Sequence, residues 1–155
     1  MLSPGGGSTV RIRTRVPAPP EQVHDACLDM DLHRASLAGS AETATTSSGS
    51  ARLGVGDEVT FSARHLGRRW SMTARVTEGD RPHRFVDEQV RGPFGSFRHV
   101  HEFRADGGGG TVMTDEVTFR PPLPPLGLVA VPVLRWYLRR LLRRRARFLA
   151  RRFDQ

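Results

Sequence analysis

The strict two-residue alternation across residues 85–119 constrains this chain more than any other feature. The stretch FVDEQVRGPFGSFRHVHEFRADGGGGTVMTDEVTF holds two strand-like runs and the start of a third, separated by Gly-rich turns. Side chains of a strand point alternately to opposite faces, so positions of one parity share one side of a sheet. The odd positions are Phe85, Asp87, Gln89, Phe97, His99, His101, Phe103, Met113, Asp115, Val117 and Phe119, an apolar and aromatic surface interrupted by ionisable groups. The even positions, among them Glu88, Arg98, Glu102, Arg104, Glu116 and Arg120, form a mixed and largely solvated face. Ordinary cores do not collect two His and two Asp on their apolar side, because burying such groups costs several kcal/mol unless each is paired. The odd face therefore reads as the wall of a polar-dotted pocket.

Register follows from the turns. A turn through the glycines at 107–109 pairs Phe103 with Met113 and sets His101 opposite Asp115, and a turn through Pro93, Phe94 and Gly95 sets Asp87 beside His101. The expected row across three strands is Asp87, His101, Asp115, with Gln89 and His99 one step along. Cross-strand neighbours lie about 4.5–5.5 Å apart at Cβ, within reach of a hydrogen bond. A two-residue difference in the first turn would place Asp87 opposite His99 instead.

The rest of the chain supplies a sheet and its cover. Residues 9–16 alternate Val10, Ile12, Thr14 and Val16 against Arg11, Arg13 and Arg15, a half-buried strand that Pro17, Pro19 and Pro20 stop. Pro20 suits the first turn of a helix through Val23, Ala26 and Cys27, and residues 29–37 continue in short helical pieces. A peripheral strand is expected at 41–46, a loop at 47–56, and a strand at 58–65 joined by a Leu66-Gly67 turn to one that sets Trp70, Met72, Ala74 and Val76 against Ala63, Phe61 and Val59. RPPLPPLG at 120–127 cannot pair in a sheet and acts as a stiff connector. Residues 128–153 then read as one long helix with an inner stripe of Leu134, Tyr137, Leu138, Leu141, Leu142, Phe148 and Leu149. Arg135, Arg139, Arg140, Arg143, Arg144, Arg147 and Arg151 take the remaining positions, and Pro132 kinks the helix or marks its first turn.

A chain of 155 residues with net charge +8 is long enough for one domain with a core and a small-molecule cavity. All 24 basic residues are Arg, matching the coding bias of a GC-rich genome, and nine of them lie between Arg135 and Arg152. Specific nucleic-acid binding is not expected, because the Arg-rich helix has no aromatic interleaving for base stacking. Its free face reads as solvated, with at most transient membrane contact. Cys27 is the only cysteine, which excludes a disulfide framework and fits a reducing, cytoplasmic setting. The start, MLSPGGGSTV, lacks the features of a signal peptide and reads as a flexible N-terminus over residues 1–8. The longest apolar run falls short of the roughly 20 residues needed to span a bilayer.

A strand, two short helices, six further antiparallel strands and a long C-terminal helix is the order of a helix-grip fold. DEQVRGPFGSFRHVHEF from Asp87, GGTVMTDEVTFRPP from Gly109 and the Leu- and Arg-rich tail resemble one bacterial branch of the START-like (SRPBCC) superfamily of polyketide cyclases, dehydrases and lipid-transport domains. The resemblance covers nearly the whole chain and implies an α+β fold: a bent antiparallel sheet of about seven strands wrapped around the C-terminal helix, in one ligand-binding domain over residues 9–153. It also implies a cavity between sheet and helix for a hydrophobic or amphipathic small molecule, without a metal or cofactor, in a monomer or homodimer.

On this basis the candidate ligand contacts are Phe61, Trp70, Met72, Phe85, Phe97 and Phe103, then Met113, Val117, Phe119, Leu134 and Leu138, with Asp87, Gln89, His99, His101 and Asp115 recognising the polar part. A His held between carboxylates has a raised pKa suited to proton transfer, so His101 or His99 with Asp87 and Asp115 could serve a cyclase or dehydratase as acid and base. A structural hydrogen-bond network that orients the pocket weighs more, and binding rather than catalysis is the first reading. A membrane- or RNA-associated module acting through the Arg-rich helix is the third. His-x-His with a facing carboxylate could also ligate a metal, but no third His or Cys is fixed nearby, so no metal is expected. His24, His33, His65 and His83 read as surface residues.

Overall fold

Alternation becomes strand wherever it was expected. In the computed structural model, which describes residues 6–40, 42–65, 67–122 and 126–155, the strands are β1 (Ser8–Val16), β2 (Glu42–Thr46), β3 (Glu58–His65), β4 (Arg68–Asp80), β5 (Arg84–Arg91), β6 (Ser96–Ala105) and β7 (Thr111–Arg120). The helices are α1 (Pro20–Cys27), α2 (Met30–Ser36) and α3 (Leu126–Phe153). The first five residues of the expected flexible start, Ala41, Leu66 of the β3–β4 turn, connector residues 123–125 and the side chains of residues 65 and 126–128 lie outside the described residues.

All strands join one antiparallel sheet in the order β1-β7-β6-β5-β4-β3-β2. Only β1 is out of sequence: it crosses to pair with β7, Val10 against Val117 and Ile12 against Asp115. The remainder is a meander of hairpins. At the β3–β4 turn Gly67 has φ of 72°, open to glycine at no steric cost, and the pairs Val59–Ala74, Phe61–Met72 and Ala63–Trp70 match the sequence expectation. Two register shifts in β4, at Thr73/Ala74 and Val76/Glu78, bend the sheet. The curved sheet and long C-terminal helix make the helix-grip α+β fold.

Pro20 opens α1 in the first turn, where a missing N–H costs nothing. Asp29 caps α2 by accepting from the backbone N–H groups of Asp31 and Leu32 at 2.9 and 3.1 Å. Thr111, fully buried, donates its hydroxyl to the Ala18 carbonyl at 2.7 Å and anchors the approach to α1 on β7. α3 packs chiefly along β1 and also meets α2. Its inner stripe buries Leu138, Leu142 and Leu149, as the 3, 4, 7 spacing requires, together with Ala146. Pro132 sits inside the helix, beyond its first turn. No described helix is long and apolar enough to cross a membrane.

Two histidines expected at the surface are inside. His24 is buried between the rings of Phe85 and Phe103, at centroid distances of 5.6 and 5.4 Å, and His33 is buried against Phe61 at 5.1 Å. Both helices are too short to show a periodicity that separates an inner from an outer face. His83 is exposed as expected.

The aromatic floor holds the sheet together. Phe103 is 1% exposed and touches both the α1 side and Phe85, so Phe103→Ala should cost about 3–5 kcal/mol of unfolding free energy, measured by urea denaturation, with the urea dependence itself unchanged.

Candidate functional site

The odd face of β5, β6 and β7 brings four ionisable side chains into one buried cluster. The β6–β7 register sets His101 opposite Asp115, as the Gly-rich turn implied. The β5–β6 register is two residues from the expected one: Phe85 faces His101 and Asp87 faces His99. Gln89 explains the difference. Its amide donates to the Phe94 carbonyl at 2.9 Å and accepts from the Phe94 N–H at 3.2 Å, so side-chain bonds fix the turn and fold Phe94 inward against Phe97 and Phe119. An even shift leaves every side chain on its face, and the His and Asp groups still meet, now diagonally.

His101 lies between two carboxylates. Its Nε2 is 2.7 Å from Asp87 Oδ2 and its Nδ1 is 3.1 Å from Asp115 Oδ1. His99 Nε2 donates to the same Asp115 oxygen at 2.9 Å, while its Nδ1 stands 4.0 Å from Asp87. The rings stack: Phe85 covers one face of His101 at 4.0 Å and His99 lies at 3.7 Å. Burial alone would lower the pKa of His101, but its contacts with Asp115 and Asp87 and their charges outweigh burial and raise it above 6.5. His99 moves the other way, lowered by burial and by the charge of His101 despite its bond to Asp115. Burial also opposes ionisation of Asp115 and Asp87, yet hydrogen bonds from both histidines to Asp115, and from His101 to Asp87, hold both below the usual carboxylate range. The consistent charge state is an imidazolium at His101, a neutral His99 and two carboxylates.

A cavity of about 40 Å³ opens beside this cluster, between α1, α2, β6, β7 and α3. At about 10–15 Å³ per water it holds roughly three waters. His101, Met113 and Asp115 line it among the expected ligand contacts, and Asp115 takes both histidines on Oδ1, which leaves Oδ2 to accept from a guest. Asp87 and His99 stand behind them. Phe85, Phe97, Phe103, Val117, Phe119 and Leu138 are buried in the core, Phe61, Met72 and Leu134 are half-buried at its edge, and Trp70 is exposed.

The opposite wall is one the sequence did not reveal. Arg145 of α3 turns inward and donates from Nη2 to His33 Nδ1 at 3.0 Å, and both line the cavity with Cys27 and Ser36. Burial, then the Arg145 charge, hold the His33 pKa well below 6.5, so it accepts as a neutral ring. Arg145 lies three and seven residues from Leu142 and Leu138, an inner position that the surrounding run of arginines masked. Cys27 points its thiol at Met113 Sδ, 3.8 Å away, and burial followed by the Asp115 charge pushes its pKa up to about 12, so it is an inert wall group.

Asp87, His99 and His101 also place one carboxylate oxygen and two ring nitrogens within 4.8 Å of one another, a donor set for a divalent metal. A metal there would have to displace the proton held between Asp87 and His101 Nε2.

The match to known proteins agrees with this architecture. Residues 8–154 match the model of the polyketide cyclase/dehydrase and lipid-transport family. The chain belongs to that family. No curated protein sequence matches it. Solved structures share the fold: TTHA0849 from Thermus thermophilus is 20% identical with a TM-score of 0.73, covering 92% of this chain and 97% of the other. CV1439 from Chromobacterium violaceum is 19% identical with a TM-score of 0.68 over 96% and 99% of the two chains. Major latex-like protein 151 from Panax ginseng is 11% identical with a TM-score of 0.67 over 95% and 97%.

Because the folded-state pKa of His33 lies below its unfolded value near 6.5, the native state binds fewer protons than the unfolded one as pH falls below 6.5. The associated stability is complete above that pH and lost beneath it. His33→Asn keeps an acceptor for Arg145 without the titration, so the drop in melting temperature from neutral to mildly acidic pH should shrink; an undiminished drop contradicts the assignment.

Proposed function

We propose that the protein binds a hydrophobic or amphipathic small molecule, lipid- or polyketide-like, between the sheet and α3, with its polar end against Asp115, His101 and Arg145. The observation that carries this reading is the composition of the cavity. One wall offers a carboxylate oxygen beside an imidazolium, the other a guanidinium whose hydrogen-bond partner is a neutral His33. Such a pair suits a polar group that both donates and accepts, such as a hydroxyl next to a carbonyl. Asp87 and His99 act through His101 and Asp115 by fixing their orientation. Membership of a family described by cyclisation, dehydration and lipid transport supports enclosure of an apolar body behind that polar end. In the conformation described the space fits only the polar end, so uptake of the whole molecule requires α3 to move away from α2 and the sheet, breaking the Arg145–His33 bond.

A second reading, a cyclase or dehydratase, is favoured by one observation: His99 and His101 share Asp115 yet shift in opposite directions, the separation that distinguishes an acid from a base. Against it, both nitrogens of His101 already face carboxylates, so a proton transfer to a guest would first cost one of those contacts.

Native mass spectrometry of the purified protein, followed by organic extraction, tests the binding reading. A one-to-one apolar adduct is expected, weakened about tenfold by Asp115→Ala through loss of one polar contact. On the extracted compound, His101→Ala should lower affinity with no change in chemistry for a carrier, and should abolish turnover with binding retained for an enzyme. A folded protein that carries nothing and takes up no added fatty acid or aromatic polyketide contradicts both.

A further inference from the structure

α3 has an outer face as well as the stripe it gives to the sheet. Val129, Val133, Trp136, Arg140, Arg143, Arg147 and Arg151 follow at spacings of three and four, all exposed, with Val129 at 81%, Val133 at 66% and Trp136 at 61%. The face is divided along its roughly 33 Å length: apolar over its first two turns, arginine beyond. The helix holds nine Arg and no acidic residue. Apart from Arg145, which bonds His33, none of these arginines has a carboxylate within ion-pair distance among the described residues. Several arginines elsewhere in the molecule are paired, as Arg75 with Glu58, Arg81 with Asp25 and Arg98 with Glu78. The positive charge of the protein is thus concentrated on one helix and left without a counter-charge there.

A second positive, apolar-tipped element lies beside the apolar end of that face. Tyr137 donates to Glu42 at 2.9 Å, Glu42 pairs with Ala63, and Ala63 pairs with Trp70, so the Tyr137 turn of α3 sits by the end of the β3–β4 hairpin. That hairpin carries Arg64, Arg68 and Arg69, has no Asp or Glu over residues 59–77, and exposes Trp70 at 41%. Each exposed Trp lies beneath a guanidinium, Arg68 over Trp70 at 5.0 Å and Arg140 over Trp136 at 5.5 Å.

We propose that the outer face of α3 is a docking surface for an anionic lipid bilayer, with Val129, Val133 and Trp136 entering the headgroup region and Arg140, Arg143, Arg147 and Arg151 lying on the lipid phosphates. Unpaired arginines complement a negative surface, and Trp beside Arg is the side-chain pair that settles at a membrane–water boundary. A second copy of the chain does not fit: a parallel two-fold contact through this face would oppose arginine to arginine, and an antiparallel one would lay arginines on Val129 and Val133 with no carboxylate of the face to receive them. Three apolar side chains also supply far less than the roughly 800 Å² per partner of a stable protein interface. A single-stranded nucleic acid would use the arginines but leaves Val129 and Val133 without a role.

The test is co-sedimentation of the full chain with phosphatidylcholine vesicles, with and without phosphatidylglycerol, at low and high salt. Binding is expected only with phosphatidylglycerol, falling steeply with salt. The triple substitution R140Q/R143Q/R147Q should weaken it on the order of 100-fold, at about one arginine-to-surface attraction per site. In a Trp70→Phe background, emission from Trp136 should shift to the blue on adding anionic vesicles. All the substituted side chains are exposed, and circular dichroism verifies that each variant is folded. Equal binding to neutral vesicles, no binding at low salt, full binding by the folded triple variant, or an unshifted Trp136 would overturn the proposal. So would a single-stranded RNA that displaces the protein from vesicles at lower concentration than the lipid.

Discussion

The contact on which this site depends is the one between the His101 ring and the two carboxylates on either side of it. Asp87 and Asp115 are on strands that flank β6, and neither could remain ionised in a core of Phe85, Phe103 and Phe119 without a cation between them. His101 supplies that cation, and the carboxylates in turn hold its proton. His99 completes the arrangement as a neutral donor to Asp115, and Phe85 and His99 close over the faces of the His101 ring. Removing His101 leaves two buried carboxylates without a cation, and removing either carboxylate leaves a ring nitrogen of His101 without its acceptor, so these contacts tie β5, β6 and β7 into one register.

The cluster also sets the electrical character of the cavity. Two carboxylates and one imidazolium leave one negative charge, and the Arg145 guanidinium on α3 supplies a positive one across the gap. Arg145 therefore balances the far wall while gripping His33, which links α3 to α2 through a hydrogen bond of 3.0 Å. A guest that draws Arg145 towards its own acceptor loosens that link. In the proposed binding mode, ligand uptake and displacement of α3 are one event, and the outer face of the same helix, with its exposed Trp136, would move with it.

Much of this was legible in the sequence, because a period of two leaves little freedom once a turn is located. The odd positions of residues 85–119 share one face of the sheet, and the glycines of the β6–β7 turn set His101 opposite Asp115. The β5–β6 turn was harder. Its length is fixed by side-chain bonds from Gln89 to Phe94, which composition does not announce, and the register moved by two while the face stayed. The second wall was not legible. His33 and His24 lie on helices of seven and eight residues, too short for periodicity to distinguish inside from outside. Arg145 was hidden by its neighbours: in a tract of arginines only the spacing from Leu138 and Leu142 marks it as the one that turns inward.

Side-chain nitrogen NMR of the histidines tests the central assignment most directly. The account requires two rings on adjacent odd positions of one strand to behave oppositely: His101 titrating above the ordinary imidazole range, and His99 below it with the proton of its neutral ring on Nε2. Both rings titrating together near 6.5, or His101 titrating below His99, would contradict it and remove the charge pattern on which the proposed binding rests.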